Sequence, residues 1–170
     1  EIMRLDEVNE ETVVEIEKDV HRLQTIAERF SKIGSKPVLE LCDVVTETQM
    51  AFDYLRSRVS KQIIFSFKAP SYALMIPMNS ILHSWTIENL IKNAIDAMKG
   101  KGAIDIIIDD NDKGIRIQIK DTGKGIAKNQ FKRIFEPGYT TKKRGWGLGL
   151  SLTKRIVETY HNGSIKVTHS

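Results

Sequence analysis

Asn89, Asn93 and Asp96 stand four and three residues apart in a stretch, Ser84 to Met98, that is otherwise largely apolar: Trp85, Ile87, Leu90, Ile91, Ala94, Ile95, Ala97 and Met98. On a helix that spacing puts the three polar side chains on one face. Asparagine is a poor residue for a helix interior, because its amide competes for backbone hydrogen bonds. Two of them a turn apart either mark a solvated face or present neutral amide oxygens to a hard cation. Mg2+ takes a few protein oxygens and completes its shell with phosphates and water, a role one asparagine can serve.

Two glycine loops follow. In Asp121-Thr122-Gly123-Lys124-Gly125-Ile126 the glycines let the backbone come close to a flat ligand, and Asp121 can accept a hydrogen bond from an exocyclic amine. A tight turn after a strand, with no ligand, has the same pattern. Gly145-Trp146-Gly147-Leu148-Gly149-Leu150 opens a helix, where unpaired N–H groups and the positive helix end suit phosphate oxygens. It is neither a Walker loop nor the GxGxxG of a dinucleotide fold. Between the loops runs Phe131…Phe135-Glu136-Pro137-Gly138-Tyr139-Thr140-Thr141-Lys142-Lys143-Arg144. Its basic end reads either as a mobile lid that carries Lys142, Lys143 or Arg144 to a polyphosphate, or as a solvated loop. Each element alone is ambiguous; their order is specific.

These residues need elements to hold them. Asn79 can cap a long helix to about Met98, ended by Gly100 and Gly102. The segments 103–109 and 115–120, with isoleucines at alternate positions, predict a hairpin across Asp110 to Gly114. Upstream, Asp43 can cap a helix to about Lys61 whose inner face carries Val45, Phe52, Leu55 and Val59. Short strands are expected at 62–67, 72–75 and 165–168, and a helix at 148–160. Residues 10–34 read as one more helix, with Val13, Ile16, Val20, Leu23, Ala27 and Phe30 at alternating spacings of three and four. That seam asks for a partner helix beside it, from a second copy or from chain before residue 1. Gly34 and Pro37 end it. The fold class is α+β, a mixed sheet with helices on one face, preceded by a long coiled-coil-like helix.

Composition sets the class. The 170 residues are 41% hydrophobic and 28% charged, as in a soluble globular chain. A net charge of +4, with no basic run interleaved with aromatics, gives no case for nucleic acid. A single cysteine, Cys42, excludes an internal disulfide and suits a reducing cytoplasm. No apolar run reaches the roughly 20 residues of a membrane span. The chain opens on Glu1-Ile2-Met3 and is expected to be a fragment, with any membrane anchor of a larger sensor outside it.

The constellation resembles the GHKL superfamily and, within it, the catalytic and ATP-binding domain of sensor histidine kinases from two-component systems. Residues 88–94 are similar to its N box, 121–126 to its G1 box, 131–137 to its F box and 145–150 to its G2 box. The resemblance covers about residues 62–168 and implies a Bergerat-type α/β sandwich that binds ATP with Mg2+. By position it implies that Asn93 ligates Mg2+, with Asn89 beside it near the phosphates as the second catalytic residue. Asp121 would hold the adenine amino group, with Gly123, Gly125 and Ile126 shaping that pocket. Gly145, Gly147, Leu148, Gly149 and Leu150 would line the phosphates, joined by Lys142 from the lid. Residues 1–36 resemble the second helix of a dimerisation and phosphoacceptor hairpin, and 37–170 the catalytic domain. The implied partners are a second copy, through the 10–34 helix, and a response regulator receiver domain.

The sequence departs from the pattern at Trp146, at Gly138 in place of a common aromatic, and at His161-Asn162-Gly163 in place of His-Gly-Gly. None of the four histidines, His21, His83, His161 and His169, has the setting of a phosphoacceptor, so the acceptor is expected outside this chain. A GHKL ATPase is the rival reading. Those enzymes carry a water-activating Glu where Asn89 stands, and an amide is no base; Glu88 is rotated about 100° around the helix. A dimerising scaffold without kinase activity is a third reading, and an anti-sigma type of Ser/Thr kinase a fourth.

Overall fold

The computed structural model describes residues 37–142 and 145–168, with Val13 and Val20 upstream. The chain divides into two units, Glu1–Pro37 and Val38–Ser170. In the first, Val13 and Val20 are helical and exposed. The rest of the 10–34 helix, its seam and His21 lie outside the described residues.

In chain order the second unit runs β1 (Glu40–Asp43), α1 (Val44–Arg56), β2 (Ile63–Lys68), β3 (Met75–Met78), α2 (Ser80–Ala97), β4 (Gly102–Asn111), β5 (Gly114–Asp121) and α3 (Gly149–Arg155). The sheet order is β2-β4-β5, with β2 parallel and β5 antiparallel to β4. Helices α1 and α2 cover one face. Ile104 and Ile106 are fully buried there, against Phe52, Leu55, Ile87 and Ile91. The Phe52 ring meets Phe65 edge-on at 5.5 Å and Phe67 at 5.4 Å. β1 and β3 form a separate antiparallel pair, whose inner residue Met78 joins Val44, Leu74 and Ile108 in a second cluster. This is the mixed α+β arrangement expected from the pattern.

Both expected caps form. Asp43 accepts from the N–H groups of Val45 at 3.2 Å and Thr46 at 3.3 Å, and from Leu74 N–H at 2.8 Å. The Thr46 hydroxyl and these N–H groups hold the Asp43 carboxyl below the usual carboxylate range. Asn79 Oδ1 accepts from Leu82 N–H at 3.0 Å. At the far end of α2, Lys99 (φ 54°) and Gly100 (φ 80°) turn the chain left-handed, and Gly100 N–H reaches back to the Ile95 carbonyl at 3.1 Å.

Expectations for five segments are corrected. Helix α1 stops at Arg56 rather than Lys61, because Ser57 caps it and Arg58 N–H closes a tighter turn onto Leu55. Its inner face is Val44, Thr48, Ala51, Phe52 and Leu55, one position from the expected start. The hairpin loop narrows to Asp112-Lys113, with the positive φ carried by Gly114. The strand placed at 72–75 lies at Met75–Met78, with Pro77 opposite Leu41. The final helix is α-helical only over Gly149–Arg155 and continues as a π-helical turn, Ile156–Tyr160. Residues 165–168 keep their alternation, but among the described residues they have no ladder partner and form no strand.

Candidate functional site

Three segments distant in sequence meet successive turns of α2. The turn after β5 presses on its last residue: a Cβ built on Gly123 would lie 2.7 Å from the Ala97 Cβ, and Lys124 N–H donates to the Ala97 carbonyl at 3.3 Å. The start of α3 presses on its middle. There a Cβ on Gly149 would lie 2.5 Å from Asn89 Oδ1, while Asn89 Nδ2 donates to Thr153 Oγ1 at 2.8 Å. Between them, Lys142 reaches the remaining polar turn. Its Nζ donates to Asn93 Oδ1 at 2.9 Å and ion-pairs with Asp96.

The amide and carboxylate oxygens of Asn93 and Asp96 therefore gather around a positive charge. The lysine ammonium stands there for a cation, and the donors are hard oxygens of the kind Mg2+ takes. That fits an ion held by Asn93 and completed by phosphate oxygens and water.

At the β5 turn, Asp121 Oδ1 accepts from Gly123 N–H at 2.8 Å and the residue stays exposed. Gly125 takes φ 72° and Ile126 is half-buried. At the other loop Gly147 has φ 65°, and a Cβ there would lie 2.6 Å from the Gly138 carbonyl oxygen. Gly138 N–H donates back to the Gly147 carbonyl at 3.0 Å. This glycine pair pins the base of the segment that carries Lys142. Gly145 lies beside Thr140 and Lys142. Leu148 and Leu150 are half-buried, and the Leu148 carbonyl accepts from Leu152 N–H at 3.0 Å. Trp146 is exposed. Lys143 and Arg144 lie outside the described residues.

Residues 82–170 match the family described as histidine kinase-, DNA gyrase B-, and HSP90-like ATPase. The chain belongs to this family. Sporulation kinase A of Bacillus subtilis (strain 168) is 46% identical to it over 79 residues, 46% of this chain and 13% of that protein. The sensor histidine kinase ZraS of Escherichia coli (strain K12) is 29% identical over 163 residues, 88% of this chain and 35% of that protein. The solved catalytic domain of histidine kinase ThkA superposes with a TM-score of 0.69 at 27% identity, over 75% of this chain and 85% of that domain. The second unit is thus a histidine-kinase-type ATP-binding catalytic domain with the GHKL fold. The chain spans about a third or less of these two curated relatives.

Within this ATPase fold, three residues absent from the sequence-derived site belong to its geometry. Thr153 lies one turn after Gly149, so helical spacing alone puts both on the face toward Asn89. Asp96 was visible in the polar stripe, though not as Lys142's partner. Gly138 stood out only as a departure from the family pattern; its φ of 82° is what suits it to glycine, while its backbone lies against Gly147. The described histidines face elsewhere. His83 is buried with Nε2 2.8 Å from Thr48 Oγ1, whose hydroxyl donates to the Val44 carbonyl at 2.7 Å. His161 Nε2 accepts from Asn79 N–H at 3.1 Å.

Proposed function

We propose that this chain donates the γ-phosphoryl group of ATP to a histidine outside it, in a sensor histidine kinase whose phosphohistidine then supplies a response regulator. The observation that carries the reading is the convergence of both glycine loops and the basic segment on Asn89, Asn93 and the end of α2. Asp121 would hold the adenine amino group, between the glycines at 123 and 125 and Ile126. Backbone N–H groups of Gly147, Leu148, Gly149 and Leu150 would face the phosphates, with Gly145 allowing Lys142 to swing over them. Asn93 would hold Mg2+ and Asn89 would stand beside it. Bound there, the ion would neutralise charge on the phosphate oxygens as the phosphoryl group leaves ADP.

Two observations favour transfer over hydrolysis. Asn89 is an amide engaged with Thr153, and amides do not take protons from water. Glu88, the nearest carboxylate in sequence, is tied to Lys92 at 3.2 Å. In the longer protein, the 10–34 helix would pair with its counterpart in a second copy. The domain would work in the cytoplasm, where ATP is; among the described residues no helix is long and apolar enough to cross a membrane.

The test is complementation in trans. This chain, with labelled ATP, should phosphorylate the longer protein in which Asn93 is replaced by Ala, giving an acid-labile, alkali-stable phosphohistidine there. Label on this chain's own histidines, or release of inorganic phosphate alone, would refute the reading.

A further inference from the structure

The ion pair between Lys142 and Asp96 spans 46 residues of sequence and lies over the very oxygen assigned to the metal. Lysine needs no such partner. An exposed ammonium is well solvated, and both side chains here remain about half exposed, at 42% for Lys142 and 54% for Asp96. What the contact does is place one unit of positive charge on Asn93 Oδ1 and Asp96 Oδ2 together. A divalent ion and an ammonium cannot share an amide oxygen at contact distance, because like charges so close repel.

We propose that Lys142 is a resident counter-cation of the Asn93–Asp96 pair. The lid lysine and the divalent ion compete for the same oxygens, and arrival of the metal releases Lys142 to the polyphosphate. This deepens the proposed function and rests on it. Asp96 then acts as a positioning residue: it parks the lysine one helical turn from the phosphate loop without touching the nucleotide itself. The base of the lid is suited to such a movement. It is pinned at Gly138 and Gly147, and Lys142 lies four residues beyond the first of these and five before the second, with Thr140 Oγ1 accepting from Lys142 N–H at 3.1 Å. Release moves a side chain, and the anchored loop base can stay where it is.

The size of the effect follows from the exposure of the pair. Exposed ion pairs bias an equilibrium by up to about 1 kcal/mol, so removing the competitor should tighten divalent-ion binding by about two- to five-fold. The experiment is a Mn2+ titration of the chain without nucleotide, following the free-ion EPR signal. Lys142→Met should bind Mn2+ about two- to five-fold more tightly than the wild type. Lys142→Arg keeps the charge and should match the wild type. Lys113→Met removes one positive charge from the exposed tip of the β4–β5 hairpin, at the end of these strands opposite the turn that packs on α2, and should also match it. No gain in Lys142→Met, or an equal gain in Lys113→Met, overturns the proposal. ATP affinity of the wild-type chain, measured in parallel, separates the two failures. A chain that binds ATP but shows no Lys142 effect overturns the competition alone, while a chain that binds no ATP overturns the function beneath it.

Discussion

Gly147→Ala is the substitution whose cost can be worked most directly from the structure. Residue 147 holds φ 65°, which costs a residue with a Cβ about 1–2 kcal/mol. The new Cβ would also lie 2.6 Å from the Gly138 carbonyl oxygen and 2.7 Å from the Tyr139 nitrogen. Both are backbone atoms, so no side chain can rotate out of the way. The loop must part from the lid base and give up the 3.0 Å bond from Gly138 N–H, a further loss of about 0.5–1.5 kcal/mol. Together these amount to about 1.5–3.5 kcal/mol against the pinned arrangement, or about a 10- to 400-fold shift in its population. Calorimetric titration with Mg-ADP should show a loss of affinity of that order, and trypsin should cut after Lys142 faster than in the wild type. Thermal stability should move little, because Leu152 and Ile156 keep the helix in the core. Gly145→Ala is the control: its φ is not in the left-handed region, and its nearest neighbour is the Thr140 hydroxyl at 3.3 Å. Equal nucleotide affinity in the two variants would show that the left-handed backbone and close approach at residue 147 do not hold the lid base.

Two further outcomes follow from buried polar contacts. Thr153→Val leaves the Asn89 amide facing a methyl group, and should cost about 1–2 kcal/mol in chemical denaturation together with weaker nucleotide binding. A change in neither would remove Thr153 from the site. Burial pushes His83 down to about 4, with His161 adding repulsion, and burial also lowers His161. The folded state therefore binds fewer protons than the unfolded chain. The stability is fully present above about pH 6.5 and falls away as pH drops toward 4, by about 2–3 kcal/mol at pH 4.5 for His83. Urea denaturation at pH 7 and pH 4.5 reads this directly, and His83→Gln should flatten the slope. A variant with the wild-type slope would exclude His83 as its source.

What the sequence made legible was whatever is local. Asn79 and Asp43 announced their caps, and the isoleucines at 104, 106 and 108 announced their buried face, because period and capping act within a few residues. The site was legible as an ordered set of motifs, each with an innocent alternative. Their meeting was not, since Gly149 touching Asn89 and Lys142 reaching Asp96 depend on folding across 60 and 46 residues. β1 was missed for a related reason. Glu40 to Asp43 has no alternation of its own and becomes a strand only by pairing with Met75–Met78. That same pairing draws Pro77 into a strand, where a proline normally argues against one. Residues 165–168 show the converse, a strand pattern that meets no partner among the described residues.

One titration tests whether Asn93 holds the metal that accompanies ATP. ATP affinity is measured with Mg2+ and with EDTA, for the wild type and for Asn93→Ala. Mg2+ should strengthen ATP binding to the wild type at least ten-fold, about 1.4 kcal/mol, and should lose most of that effect in the variant, while affinity in EDTA stays close to wild type. An Asn93→Ala chain that keeps the full Mg2+ enhancement would contradict the account at its centre.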